Sequence, residues 1–183
     1  MDYSLNEQQE MMQTLARDFM ADEYPEKVLR AVAAGDADLS ASLWKKMAGM
    51  NLMGLSLPEE YGGLGDFLDL TVVLEEMGKA CFISPFFSSV VLGASAIAAA
   101  GTGEQKAGYL PAIAEGKIKV TVAVAELRAS YTADDIRMKA ENRGENIVLN
   151  GVKSFVPDAG EADYIIGAAR TGENEEDITL FIV

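Results

Sequence analysis

The 183-residue sequence predicts an α+β chain with two segregated parts, an all-α helical region followed by a β-rich region. Three observations predict it. Apolar residues recur at helical spacing through roughly the first two thirds of the chain. After Gly116 the period changes from helical to two. Capping signals punctuate the first part and turn signals the second.

The elements follow in order. Ser4 and Glu7 fit a capping box, and Met12, Leu15, Ala16, Phe19 and Met20 follow on one helical face. A second helix is expected from Ser40, with Leu43, Trp44, Met47 and Ala48 together. Leu57-Pro58-Glu59-Glu60-Tyr61-Gly62-Gly63-Leu64-Gly65 is dense in turn residues and reads as a loop. Asp66 can cap a third helix with the stripe Leu70, Val73, Leu74, Met77 and Cys81. Ser84-Pro85 starts a fourth and Gly101 stops it. Thr102 and Gln105 form another capping box, ahead of a helix that runs towards Gly116 and contains Pro111. Beyond it, Val120, Val122 and Val124 alternate with Thr121, Ala123 and Ala125, and Ile136, Met138 and Ala140 repeat the pattern. Asn150-Gly151, between Ile147-Val148-Leu149 and Val152–Val156, predicts a two-residue hairpin. Tyr164–Ala169 and Ile178–Val183 read as further strands. The domain boundary falls near residues 116 to 120, giving 1–117 and 118–183.

Composition excludes several function classes. Net charge is −14, from 15 basic and 29 acidic residues. Nucleic-acid phosphates and anionic membranes both require Lys and Arg, so neither is an expected partner. Without histidine there is no Ser-His-Asp or Cys-His triad and no His-ligated metal. Cys81, the single cysteine, excludes an internal disulfide and cysteine-rich metal sites, and is expected to be a small buried hydrophobe. Met1-Asp2-Tyr3-Ser4-Leu5-Asn6-Glu7 lacks a basic, apolar leader, and Phe86–Ala100 is too short to span a bilayer, so a cytoplasmic location is expected. The apolar strand at residues 178–183 has no closing turn, which reads as the front portion of a longer protein.

Six stretches, in order, resemble the acyl-CoA dehydrogenase family. They are Leu57–Gly65, Gly101-Thr102-Gly103-Glu104-Gln105-Lys106, Tyr109-Leu110-Pro111, Val122-Ala123-Val124-Ala125-Glu126, Leu149-Asn150-Gly151-Val152-Lys153 and Ala162-Asp163-Tyr164. The resemblance implies a helical N-terminal domain, a middle antiparallel β-barrel begun at residue 118, and a helical C-terminal domain outside this chain. It implies FAD as cofactor and an acyl-CoA thioester as substrate. In such enzymes a glutamate takes the α-proton while the β-hydrogen leaves as hydride to the flavin. That base belongs to the C-terminal part, so no catalytic residue is assigned here. An electron-transfer flavoprotein and a homo- or hetero-oligomer, dimer or tetramer, are the implied partners.

Carried over position by position, the flavin-contacting strand is Val122-Ala123-Val124-Ala125-Glu126, with Val122, Val124 and Ala125 as contacts. Ala125 stands where the family usually has a hydroxyl. Leu127-Arg128-Ala129-Ser130-Tyr131-Thr132 replaces a glycine-rich turn, and Tyr131 occupies a serine position on the substrate side. Lys153-Ser154-Phe155-Val156-Pro157-Asp158 resembles Lys-x-Trp-Ile-Thr-Asn, so Phe155, Val156 and Pro157 are the remaining cofactor contacts. Phe155 can cover a flavin face, whereas Pro157 supplies neither hydroxyl nor N–H. Phe86 and Phe87 are candidates for an acyl-tunnel wall, with core packing as the competing explanation. Two functional readings stand: a divergent flavin dehydrogenase, or a flavin-poor partner subunit of a mixed oligomer. A third is an assembly module. Glu59, Glu60 and Glu75-Glu76 are expected to be solvated, and the methionines to be adaptable core.

Overall fold

Polar caps set most helix starts in the computed structural model, which describes residues 4–183. Met1, Asp2 and Tyr3, part of the leader reading, lie outside the described residues. Helix α1 (Glu7–Glu23) is capped by Asn6, whose side chain accepts from the Gln9 N–H while Gln9 returns a bond to the Asn6 N–H. The box therefore sits two residues beyond the Ser4/Glu7 match. Asn is as good a cap as Ser, so the pattern alone does not separate them. A short helix, α2 (Glu26–Ala33), follows Pro25 and was not expected. Helix α3 (Ala37–Gly49) starts at the Asp36 cap. Ser40 lies inside it and donates to the Asp36 carbonyl.

Helix α4 (Phe67–Lys79) carries the expected Asp66 cap and buries Leu70, Val73 and Met77. Two residues of this region depart from expectation. Cys81 is exposed, beyond the helix end, in a left-handed conformation at φ 51°. Glu76 is buried, only 4% exposed, because Arg17 from α1 and Lys79 reach it at 3.1 and 2.9 Å. A carboxylate can be withdrawn from water when it is paired in this way. Burial raises the Glu76 carboxyl, but the bonds from Arg17, first in weight, and Lys79 hold it below its ordinary value.

After Pro85 the chain forms a π-helical stretch (Phe87–Gly93) that continues as α5 (Ala94–Ala100), ending at Gly101. Helix α6 (Gly103–Ala114) has the expected Thr102/Gln105 capping box and contains Pro111. One core runs beneath these elements, centred on Met47, Leu52, Met53, Leu70, Val73, Phe86, Val90, Leu110 and Ile113. Of the methionine set, Met47, Met53 and Met77 are buried while Met11 is 60% exposed. Trp44 donates its indole N–H to the Gly116 carbonyl at 2.8 Å, which fastens α3 to the turn that leaves α6.

The β-region is one open five-stranded sheet: β1 (Val120–Ala123), β2 (Lys139–Arg143), β3 (Asn146–Asn150), β4 (Tyr164–Arg170) and β5 (Ile178–Ile182). It is mixed rather than wholly antiparallel. Strands β1 and β2 run parallel to β4, while β2–β3 and β4–β5 are antiparallel. The hairpin turns at Gly144-Glu145, not at Asn150-Gly151, and residues 152–156 form no strand. Gly151 is needed for another reason. A Cβ there would lie 2.7 Å from Met138 Cα, so the chain passes too closely for a side chain. Among the described residues no helix is long and apolar enough to cross a membrane.

Candidate functional site

Two segments far apart in sequence, Val122–Glu126 and Lys153–Pro157, lie side by side at one margin of the sheet. The Ser154 N–H donates to the Ala125 carbonyl at 2.9 Å. Lys153 Nζ donates to the Val124 carbonyl at 3.0 Å, and Thr121 Oγ1 to the Pro157 carbonyl at 2.7 Å. Strand β1, paired to β4, carries the first segment only as far as Ala123. The second forms no strand, and these cross-links tie it to the first.

An ion pair fixes the junction. Lys153 Nζ lies 2.8 Å from Glu126 Oε1, and the two side chains are only 7% and 11% exposed. Glu126 also accepts from the N–H groups of Arg137 and Met138, at 3.0 and 2.9 Å. Burial alone raises its carboxyl, but the Lys153 ammonium and the two backbone donors hold it below its ordinary value. Sequence reasoning assigned neither residue a role, although both stood in the stretches that carried the resemblance. Charged residues separated by 27 positions give no local sign of pairing.

The expected cofactor contacts are distributed unevenly over this junction. Val122, Val124 and Val156 are half-buried, Ala125 is buried, and Pro157 is exposed. Phe155 stands outward, 73% exposed, with its backbone left-handed at φ 54°. Tyr131 is 74% exposed on the loop that follows Glu126. Phe86 and Phe87 part company: Phe86 is in the core, while Phe87 is exposed on the π-helical stretch. That stretch packs on β1, with Ser89 Oγ accepting from the Val120 N–H at 3.1 Å. Phe87 is open to solvent, whereas Phe86 is enclosed by the core.

This margin carries apolar surface of the kind a planar ring stacks on. An outward aromatic ring, three half-buried valines and two adjoining backbones offer an apolar platform with polar edges. Ala125 and Pro157 bring no hydroxyl to it. Cavities occur on neighbouring surfaces. One of about 550 Å³ is bordered by Lys45, Tyr61, Gly62 and Pro111, and one of about 380 Å³ by Leu43, Phe82, Lys119 and Asp158. Neither is lined by the six expected cofactor contacts.

The chain is similar to known proteins over nearly its whole length. Residues 6–117 match the family model described as "Acyl-CoA dehydrogenase, N-terminal domain". The probable acyl-CoA dehydrogenase YngJ of Bacillus subtilis is 32% identical over 179 residues, covering 96% of this chain and 47% of that protein. The ChsE4-ChsE5 complex from Mycobacterium tuberculosis contains a chain 30% identical, with a TM-score of 0.84, covering 100% of this chain and 48% of that one. An acyl-CoA dehydrogenase complexed with FAD from Bacillus anthracis is 27% identical, with a TM-score of 0.86, covering 98% of this chain and 31% of that one. The chain spans about half the length of the curated relatives it matches.

Proposed function

The chain belongs to the acyl-CoA dehydrogenase family, and from that premise we propose that the whole protein is an FAD-dependent oxidoreductase that desaturates the α,β-bond of an acyl-CoA thioester. The observation that carries the reading is the pairing of Val122–Glu126 with Lys153–Pro157, the two segments that the family resemblance assigns to the cofactor. We divide the chain at residues 117 and 118, a helical domain leading into part of a β-domain.

Within that reading, Val122, Val124 and Ala125 border the cofactor, and Phe155, Val156 and Pro157 cover it. FAD, when bound, supplies a two-electron acceptor. The Lys153–Glu126 pair keeps the two segments in register and excludes water from between them. Phe87 and Tyr131 face the acyl-CoA side, and Phe86 supports Phe87 from the core. The proton-abstracting base lies outside these residues. An electron-transfer flavoprotein, a dimeric or tetrameric assembly and a cytoplasmic location complete the proposal.

A second reading, a flavin-poor subunit working beside a competent relative, is favoured by one specific feature. Ala125 and Pro157 remove two hydroxyls at the site, each worth about 0.5–1.5 kcal/mol if it bonded the cofactor. The relative solved as a complex of two named chains is compatible with it. The test is to add saturated acyl-CoA thioesters, without oxygen, to the natural-length protein and follow its flavin absorption band. Bleaching by the chain alone supports the dehydrogenase. Bleaching only in the presence of a second dehydrogenase-like chain supports the partner subunit.

A further inference from the structure

Two strained residues lie in the segment that would cover the cofactor. Phe155 and Asp158 both have left-handed backbones, at φ 54° and 50°, although neither is glycine. Such conformations persist only where surrounding structure holds them, and they gather at functional sites. Two buried hydroxyls grip the chain just after Phe155, at residues 157 and 158. Ser88, on the π-helical stretch and 1% exposed, lies with its Oγ 2.6 Å from Asp158 Oδ2. Its single hydrogen is shared with the Pro85 carbonyl at 3.0 Å, and the carboxylate is the shorter, charge-assisted partner. Thr121, on β1 and fully buried, bonds the Pro157 carbonyl. The Asp158 carbonyl then accepts from the N–H groups of Glu161 and Ala162, which closes the turn behind it.

The anchors themselves are rigid. Gly93, at the end of the π-helical stretch, packs so closely on β1 that a Cβ would lie 2.7 Å from the Val120 carbonyl oxygen. Ser89, next to Ser88 and fully buried, accepts from the Val120 N–H. The two hydroxyls that grip residues 157 and 158 thus stand on elements locked to each other, while Phe155 projects into solvent.

We propose that Ser88, Thr121 and Asp158 are positioning residues that hold residues 155–158 in a preformed, outward-facing conformation, ready to cover the flavin. The inference rests on the cofactor reading above for its purpose but not for its geometry. Preforming the segment removes an ordering cost that binding would otherwise carry.

The test has two readouts on the natural-length protein. Amide hydrogen exchange over residues 153–162, without cofactor, reports the clamp itself. FAD titration reports its consequence. Ser88→Ala and Asp158→Ala should each speed exchange in that segment several-fold and weaken FAD binding about tenfold, the size of one charge-assisted hydrogen bond. Asp158→Asn keeps an acceptor oxygen and tolerates the left-handed backbone but loses the charge assistance, so its exchange and affinity should fall between those of the parent and Asp158→Ala. Asp158→Gly relieves the strain but removes the acceptor, and should still loosen the segment. Unchanged exchange in Ser88→Ala and Asp158→Ala overturns the clamp. Faster exchange with unaltered FAD affinity overturns the positioning role. A parent protein that takes no FAD defeats the cofactor reading and with it the purpose assigned here, while exchange still decides the clamp.

Discussion

Replacing Lys153 by Met should destabilise the protein more than its place in an irregular segment suggests. Lys153 and Glu126 are 7% and 11% exposed and 2.8 Å apart, so the pair is close to buried. Removing one partner of such a pair costs about 3–5 kcal/mol, because the other charge stays behind without compensation. Glu126 would keep the N–H groups of Arg137 and Met138, at 3.0 and 2.9 Å. The low end, about 3 kcal/mol, therefore applies. For a chain of this length that corresponds to a fall of about 6–12 °C in the thermal midpoint. Circular dichroism would follow it in Lys153→Met, Glu126→Gln and the double variant. Because Glu126→Gln removes the stranded charge, the double variant should recover part of the loss. A fall under about 2 °C, or strict additivity of the two changes, would refute the reasoning.

Four further outcomes are expected. Gly93→Ala should lower the midpoint by an amount equivalent to about 1–3 kcal/mol, since its Cβ would sit 2.7 Å from the Val120 carbonyl oxygen and push β1 off the π-helical stretch. Trp44→Phe should cost about 1 kcal/mol by leaving the Gly116 carbonyl without its indole donor, read by urea denaturation. Glu76 has its folded-state value depressed, by the Arg17 bond foremost, so its stabilisation is present above the unfolded value and is lost as pH falls through the folded one. The midpoint should accordingly drop on acidification below the ordinary glutamate range, about pH 4.3, and Glu76→Gln should flatten that drop. Ala125→Ser should tighten FAD binding by roughly two- to tenfold if the restored hydroxyl reaches the cofactor, measured by fluorescence titration.

The helical half was legible wherever a capping side chain and an apolar stripe agreed, as at Asp66 and Thr102. It was misread where two caps competed, as with Ser4 and Asn6, or where tertiary partners overrode a local rule. Glu76 looks like a surface glutamate until Arg17, 59 residues away, comes to meet it. Cys81 completes an apolar stripe, but the helix ends before it and turns it out to solvent. In the sheet, Asn150-Gly151 had the sequence of a tight turn, yet that glycine serves a close passage over Met138, and the hairpin turns at Gly144 instead. The cofactor margin was legible only through resemblance. Its fastening by Lys153, Ser88 and Thr121 is a set of long-range polar contacts, and periodicity carries no trace of those.

The visible absorbance spectrum of the natural-length protein, purified and then supplied with FAD, decides whether the margin between Val122–Glu126 and Lys153–Pro157 holds a flavin. Flavin bands should stay with the protein through gel filtration and be lowered in occupancy by Asp158→Ala. A colourless protein that remains colourless after FAD is added would contradict it.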